Sequence, residues 1–202
     1  AEHIFVTGNT VIDALDTTVR SDYTHPEIEW ARGSRLILLT AHRRENLGEP
    51  MREMFRAIRR IVDETPDIKV IYPMHKNPAV REMARACFGG QERIHMIEPL
   101  DVLDFHNVMA HAYLIMTDSG GIQEEAPALG KPVLVMRDTT ERPEGVVAGT
   151  LKLVGTDENT IYAAVRELLT DPAAYHEMEH AVNPYGDGHA SRYIADILAR
   201  EL

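Results

Sequence analysis

The 202-residue sequence predicts an α/β protein with a Rossmann-like parallel sheet and helices on both faces. Three observations predict it. Short runs rich in Leu, Ile and Val recur along the chain, stretches with helical periodicity separate them, and the runs are continuously apolar. Strands buried on both sides have no need to alternate with polar residues.

In chain order the strand-like runs fall at 3–7 (HIFVT), 35–40 (RLILLT), 68–73 (IKVIYP), 93–97 (RIHMI), 113–117 (YLIMT) and 132–136 (PVLVM), followed by a short one at 152–154. Apolar residues return every three or four positions across 50–64 and 78–88, which predicts helices there. Further helices are expected near 157–170, 172–182 and 190–202, the first with Thr156 and Asp157 as N-cap candidates. No internal repeat or low-complexity segment interrupts the pattern, so residues 1–202 read as one domain.

A composition of 44% hydrophobic and 26% charged residues is that of an ordinary globular chain. The formal net charge of -11 repels a phosphate backbone and argues against a nucleic-acid partner. The single cysteine, Cys87, precludes an intrachain disulfide, and with no leader-like segment the expected compartment is cytoplasmic. No apolar stretch approaches the roughly 20 residues that span a bilayer, so a membrane helix is not expected.

In a sheet of this kind the ligand crevice lies beyond the carboxyl ends of the strands. Five strand-to-helix loops are therefore of interest. In 117–125 (TDSGGIQEE), Ser119, Gly120 and Gly121 suit a diphosphate cradle, and Glu125, one helical turn past Gly121, suits the two hydroxyls of a ribose. The same residues also describe a tight turn whose Glu124 and Glu125 complement the helix dipole. In 40–48 (TAHRRENLG), His42, Arg43 and Arg44 supply donors for phosphate, or else arginines that pair with nearby acids such as Glu45. His75 and Lys76 end the run at 72–78, where a structural histidine is the commoner outcome. The loop 137–144 (RDTTERPE) is either a polar ligand edge or a self-paired salt-bridge network. In 98–105, Phe105 taken alone is a core residue.

His176, Glu177, Met178, Glu179 and His180 spell H-E-x-x-H, the helical zinc-protease pattern, but no third ligand or peptide cleft is evident in the sequence. Two histidines one turn apart on a solvated helix account for it. His106 and His111 do not share a helical face and are not read as metal ligands. There is no Walker loop, no G-x-G-x-x-G after a first strand and no G-x-S-x-G, so hydride and phosphoryl transfer lose ground.

Taken together, VTGN at 6–9, HRREN at 42–46, P-x-H-x-N-P at 73–78, DSGGIQEEAPALGKPVLVMRDTTERPE at 118–144, AGT at 148–150, LVG at 153–155 and NPYGDGHAS at 183–191 resemble the non-hydrolysing UDP-N-acetylglucosamine 2-epimerases over nearly the whole chain. The resemblance implies the C-terminal, UDP-binding half of a two-domain GT-B fold, with the helix at 190–202 crossing back to the amino-terminal domain. It implies interconversion of UDP-GlcNAc and UDP-ManNAc through elimination of UDP to 2-acetamidoglucal without a metal or redox cofactor, in a full-length homodimer, with this chain inactive alone. By motif position, His42 lies near the glycosidic oxygen as the candidate catalytic residue. Ser119, Gly120, Gly121 and Arg142 take the diphosphate, Glu125 the ribose and Phe105 the uracil side. Arg43 and His75 match positions tied to a second, activating UDP-GlcNAc. Ala41 stands where many relatives carry Gly, a departure that would restrict the loop slightly. Two other readings share the nucleotide site: the donor domain of a GT-B glycosyltransferase, and a non-catalytic UDP-sugar sensor.

Overall fold

The computed structural model describes residues 3–201; Ala1, Glu2 and Leu202, the end of the helix expected at 190–202, lie outside the described residues. Six strands form one parallel sheet: β1 (Arg35–Thr40), β2 (Ile68–Pro73), β3 (Ile94–Ile97), β4 (Leu114–Thr117), β5 (Val133–Val135) and β6 (Leu151–Leu153), in the order β3-β2-β1-β4-β5-β6. The strand order reverses between β1 and β4, where Leu38 stands opposite Ile115 and Thr40 opposite Thr117. Such a reversal opens a crevice, because the helices that follow the two strands leave toward opposite faces.

Among the described residues ten α-helices flank the sheet: α1 (Thr10–Thr18), α2 (Pro26–Ala31), α3 (Glu49–Glu64), α4 (Pro78–Phe88), α5 (Val102–His111), α6 (Ile122–Ala128), α7 (Pro143–Ala148), α8 (Glu158–Thr170), α9 (Pro172–Glu179) and α10 (Ala190–Glu201). The pleat divides the core in two. Ile37 and Leu39 face Phe55, Ile58, Ile61 and Val165 of α3 and α8, while Leu36 and Leu38 face Leu15, Val108 and Ala126 of α1, α5 and α6. Both faces are covered, which is why the strands read as unbroken apolar runs.

Three expectations change. The run at 3–7 is not a strand: Ile4 and Val6 are 79% and 99% exposed, and the segment lies along α10 outside the sheet. Its apolar composition marks a surface rather than a ladder. The helix expected at 172–182 ends at Glu179, where His180 leaves helical geometry as its C-cap at φ −103°, ψ 2°. Helices α1 and α2, at 10–18 and 26–31, lie in stretches where no helix was expected. Asn9 caps α1 by accepting from the Val11 N–H at 3.1 Å, and the His25 ring caps α2 ahead of Pro26.

The two ends of the chain meet. The Asn9 N–H donates to the Tyr185 carbonyl at 2.8 Å, and Gly8, at φ +87°, lets its Cα lie against Gly186, where a Cβ would stand 3.1 Å from the Gly186 Cα. Asp13 on α1 accepts from the N–H groups of Ala190 and Ser191 and so caps α10 from outside. These hydrogen bonds, that from Ser191 foremost, hold the Asp13 carboxyl below its ordinary value of 3.8. A depressed carboxyl contributes stability above its unfolded value and loses it as pH falls through the folded one. The protection of amides in the first turn of α10, taken relative to their unstructured exchange rates, is therefore expected to fall as pH drops below 3.8. In Asp13→Ala the same amides should exchange fast at neutral pH, and unchanged protection in that variant would show that α10 docks by other contacts.

Candidate functional site

The loops after β1, β4 and β5 converge at the carboxyl edge of the sheet, and one buried side chain ties the first two together. Asp118, at 0% exposure, accepts from the backbone N–H of His42 at 2.9 Å and of Arg43 at 2.8 Å, and from the Asn46 amide at 3.4 Å. Beneath it the Thr40 and Thr117 hydroxyls bond each other at 2.6 Å across the strand pair. Gln123, also fully buried, donates to the Ser119 carbonyl at 3.0 Å and accepts from the Thr140 hydroxyl at 2.5 Å, linking the β4 and β5 loops.

On this frame the arginines meet. A Cβ built on Gly120 would lie 3.7 Å from an Arg43 Nη2 and 3.9 Å from an Arg142 Nη2, so both guanidiniums flank one glycine. Neither Gly120 nor Gly121 has a positive φ, and Gly121 is helical at φ −63°, ψ −42°. The backbone does not demand glycine here. What the pair provides is clearance at the start of α6, and among the described residues no protein acceptor takes the N–H of Gly120 or Gly121 or the Ser119 hydroxyl. Two cationic forks, open amide donors and a helix start make a notch suited to an anion.

Each arginine is steered by an acid. Arg142 donates through Nε to Glu124, which also accepts from the Asn9 amide, so the amino-terminal segment helps hold Arg142. Arg43 donates to the Asp118 carbonyl at 3.1 Å and lies 3.5 Å from Glu141. Arg137, nearly buried, grips Glu141 with two nitrogens at 2.6 and 3.0 Å and reaches Glu45 at 3.1 Å. That grip holds the Glu141 carboxyl down at about 2. The two readings left open for 137–144 therefore divide along the loop: Arg137 and Glu141 form a salt-bridge network, while Arg142 faces the notch.

The other expected site residues fall as follows. The half-exposed His42 ring lies 3.5 Å from Asp118 and stacks on His75, centroids 5.5 Å apart, so the ends of β1 and β2 present two imidazoles side by side. Glu125 lies on α6 one turn past Gly121, its Oε1 3.6 Å from where a Gly121 Cβ would sit. Phe105 is half-buried, packed at the start of α5 against the core shared by α1, α5 and α6. It has both the core contact expected of it in isolation and an open side. Ala41 is buried with no left-handed backbone, and its carbonyl accepts from the Tyr72 hydroxyl at 2.8 Å, so the alanine is accommodated without strain. His176, Glu179 and His180 do come together, their ligand-type atoms within 4.8 Å of one another, on a helix that packs through Tyr175 against Tyr113 at the start of β4, the opposite edge of the sheet.

Asp118, Gln123, Glu124 and Arg137 were not anticipated as parts of the site. One signal was present for Asp118: an acid directly after a buried, mostly apolar strand has to find donors at that strand's end.

Comparison with known proteins gives a consistent picture. The family model described as UDP-N-acetylglucosamine 2-epimerase matches residues 1–199. The UDP-N-acetylglucosamine 2-epimerase of Bacillus subtilis is 64% identical over 198 residues, covering 98% of this chain and 52% of that protein. The Staphylococcus aureus MnaA structure solved with UDP superposes with a TM-score of 0.96 at 53% identity, covering 100% of this chain and 55% of that one. A Neisseria meningitidis UDP-GlcNAc 2-epimerase bound to UDP-GlcNAc matches with a TM-score of 0.90 at 42% identity, over 98% of this chain and 56% of that one. The chain thus spans about half the length of the relatives it matches, and its Rossmann-like fold is one half of the GT-B architecture. Among the described residues, no helix is long and apolar enough to cross a membrane.

Asp118→Ala leaves the amide donors of His42, Arg43 and Asn46 unsatisfied and is expected to cost on the order of 3–5 kcal/mol in urea unfolding, with Asp118→Asn costing less. A fully stable alanine variant would show that the two loops are held by something else. Arg137→Ala should let the Glu141 carboxyl rise from about 2 toward the ordinary carboxylate range of about 4.3, read by NMR titration of that carboxyl. The ion pair contributes above the ordinary value and is lost as pH falls toward 2.

Proposed function

The chain belongs to the UDP-N-acetylglucosamine 2-epimerase family, and from that premise we propose that it supplies the UDP-holding half of an enzyme that interconverts UDP-GlcNAc and UDP-ManNAc. The observation that carries this reading is the convergence of Arg43 and Arg142 over Gly120, with Glu125 one helical turn away. A diphosphate sits in the notch, its oxygens on the two guanidiniums, the N–H groups of Gly120 and Gly121 and the Ser119 hydroxyl. The ribose reaches Glu125, and the uracil lies on the Phe105 side.

In the reaction, the proton at C2 of the sugar is removed and the C1–O bond to the diphosphate breaks, giving 2-acetamidoglucal and UDP. Re-addition of UDP at C1, with a proton delivered to C2 from the opposite face, gives the epimer. The residues of this chain serve the leaving group: negative charge grows on the diphosphate as the bond breaks, and fixed donors stabilise it without having to reorient. His42, at the lip of the notch, hydrogen-bonds the glycosidic oxygen and hands it a proton. Its neighbour His75, together with Arg43, faces the position of a second, activating UDP-GlcNAc. No metal or redox cofactor takes part in this scheme.

The groups that act on C2 lie in the other domain of the enzyme, so this half alone does not turn over. An exposed apolar surface supports that division. Ile4, Phe5 and Val6 line one groove with Tyr193 and Ile197 of α10, and Ile194 and Leu198 on the same helix are exposed as well. The amino-terminal domain covers it in the full-length protein, α10 crosses back there, and that protein is a homodimer.

The test is a UDP titration of this chain followed by calorimetry and thermal unfolding. A ligand that binds only the folded state stabilises it by about 2.7 kcal/mol at a hundred times its Kd. Wild type should be stabilised, and Glu125→Ala and Ser119→Ala should each weaken the effect at least about tenfold in Kd. In the full-length protein, His42→Ala should depress epimerisation of UDP-GlcNAc far more than UDP affinity. Undiminished UDP binding in both site variants refutes the site. A requirement for an acceptor sugar would identify a glycosyltransferase instead, and UDP binding with no turnover of the full-length protein would identify a sensor.

A further inference from the structure

We propose that His106, a residue with no place in the scheme above, is the positioning residue for Glu125 and through it sets discrimination between ribose and 2′-deoxyribose. The proposal rests on the reading that Glu125 receives the ribose hydroxyls. His106 lies in α5 at 3% exposure, with its Nε2 3.5 Å from Oε2 of Glu125 on α6. Its other nitrogen, Nδ1, is 2.8 Å from the Thr18 hydroxyl at the end of α1. That hydroxyl also reaches the Ala14 carbonyl at 2.9 Å.

The protonation pattern follows from the partners. A carboxylate offers only acceptors, so the contact with Glu125 is attractive only when Nε2 carries a proton. The Thr18 hydroxyl has one proton to give: turned to Nδ1 rather than to the Ala14 carbonyl, it leaves the ring's proton on Nε2, facing Glu125. The ring is fixed from the side as well. The next residue, Asn107, donates to the Thr18 carbonyl at 2.7 Å and accepts from the Arg20 N–H at 2.9 Å, locking the end of α1 against α5. Held between Thr18 on one nitrogen and Glu125 on the other, the buried ring points its Nε2 toward Glu125.

The distance specifies the role. At 3.5 Å the contact is longer than the roughly 2.7–3.2 Å of an N–H···O hydrogen bond, so it orients the carboxylate electrostatically without saturating a lone pair. Among the described residues, no donor lies within hydrogen-bonding distance of the Glu125 carboxylate, although its side chain is only 16% exposed. A mostly buried carboxylate, steered by one positive or N–H-bearing neighbour and with its lone pairs open, suits two vicinal hydroxyls. Glu124, the preceding residue, contrasts with it: its lone pairs are taken by Asn9 and Arg142.

The experiment compares UDP and 2′-deoxy-UDP binding to wild type, Glu125→Ala, His106→Phe, His106→Gln and the Glu125→Ala/His106→Phe double variant by calorimetry. Wild type should prefer UDP by at least about tenfold, because a site built to hydrogen-bond a hydroxyl rejects the analogue lacking it. His106→Phe should lose about fivefold or more in UDP affinity while changing 2′-deoxy-UDP binding by less than about twofold, and the double variant should be no worse than Glu125→Ala. His106→Gln, whose amide can place an N–H near the Nε2 position, should recover part of the preference. In parallel, nitrogen-15 NMR of the free protein should find the proton on Nε2 of His106.

Equal losses for both nucleotides in His106→Phe, with no recovery in His106→Gln, would reduce His106 to a packing residue and overturn the proposal. An unprotonated Nε2 would overturn it independently of any ligand. A Glu125→Ala variant that weakens UDP and 2′-deoxy-UDP alike would instead sink the ribose reading beneath it, as would a wild-type chain that does not bind UDP.

Discussion

The site depends on one buried acid. Asp118 stands at the point where the strand order reverses, and its carboxyl group takes the amide protons that would otherwise be stranded at the end of β1. A parallel sheet leaves such groups at every strand end, and burial makes each one costly. Satisfying them with a side chain from the adjacent loop fixes the two loops relative to each other. The position of Arg43, the stacking of His42 on His75 and the open start of α6 all follow from that fixed relation.

The electrostatics follow the same plan at longer range. A chain of net charge -11 nonetheless presents a cationic notch, because each arginine there is held by an acid placed behind or beside it. Such pairing lessens the repulsion between Arg43 and Arg142 as they approach the same glycine. It also orders side chains that would otherwise lose rotamer freedom only when a ligand arrived. Acids off the ligand path therefore act as part of the site. Their cost is partial neutralisation of the notch.

Much of this was legible in the residues. The unbroken apolar runs of β1, β2 and β4 specify a sheet covered on both sides, and α3 and α4 appear at their expected positions because their apolar spacing is regular. The run at 3–7 misled because β-branched residues mark any surface that needs covering, whether by a sheet neighbour or by a helix such as α10. In the site, the loops could be ranked because glycine, serine and arginine cluster after strands. Gln123 and Glu124 could not be singled out, since their importance lies in partners 17 to 115 residues away and local spacing carries no record of those, whereas Asp118 left one local trace in its place directly after a buried strand. His106 was legible only as a histidine unsuited to metal; its meaning comes from α1 and α6 meeting around it.

Glu124 and Glu125 illustrate how a single helix turn divides its labour. Successive residues on a helix point about 100° apart, so neighbouring identical side chains enter different environments. Glu124 turns toward the amino-terminal segment and Arg142, and its lone pairs are consumed there. Glu125 turns toward α5 and finds a single imidazole, with room left on both oxygens. Exchanging the environments would leave Arg142 unsteered and would saturate the other carboxylate. The chemical identity of the two residues is the same; the packing of α1 and α5 makes one a structural anchor and leaves the other free for a ligand.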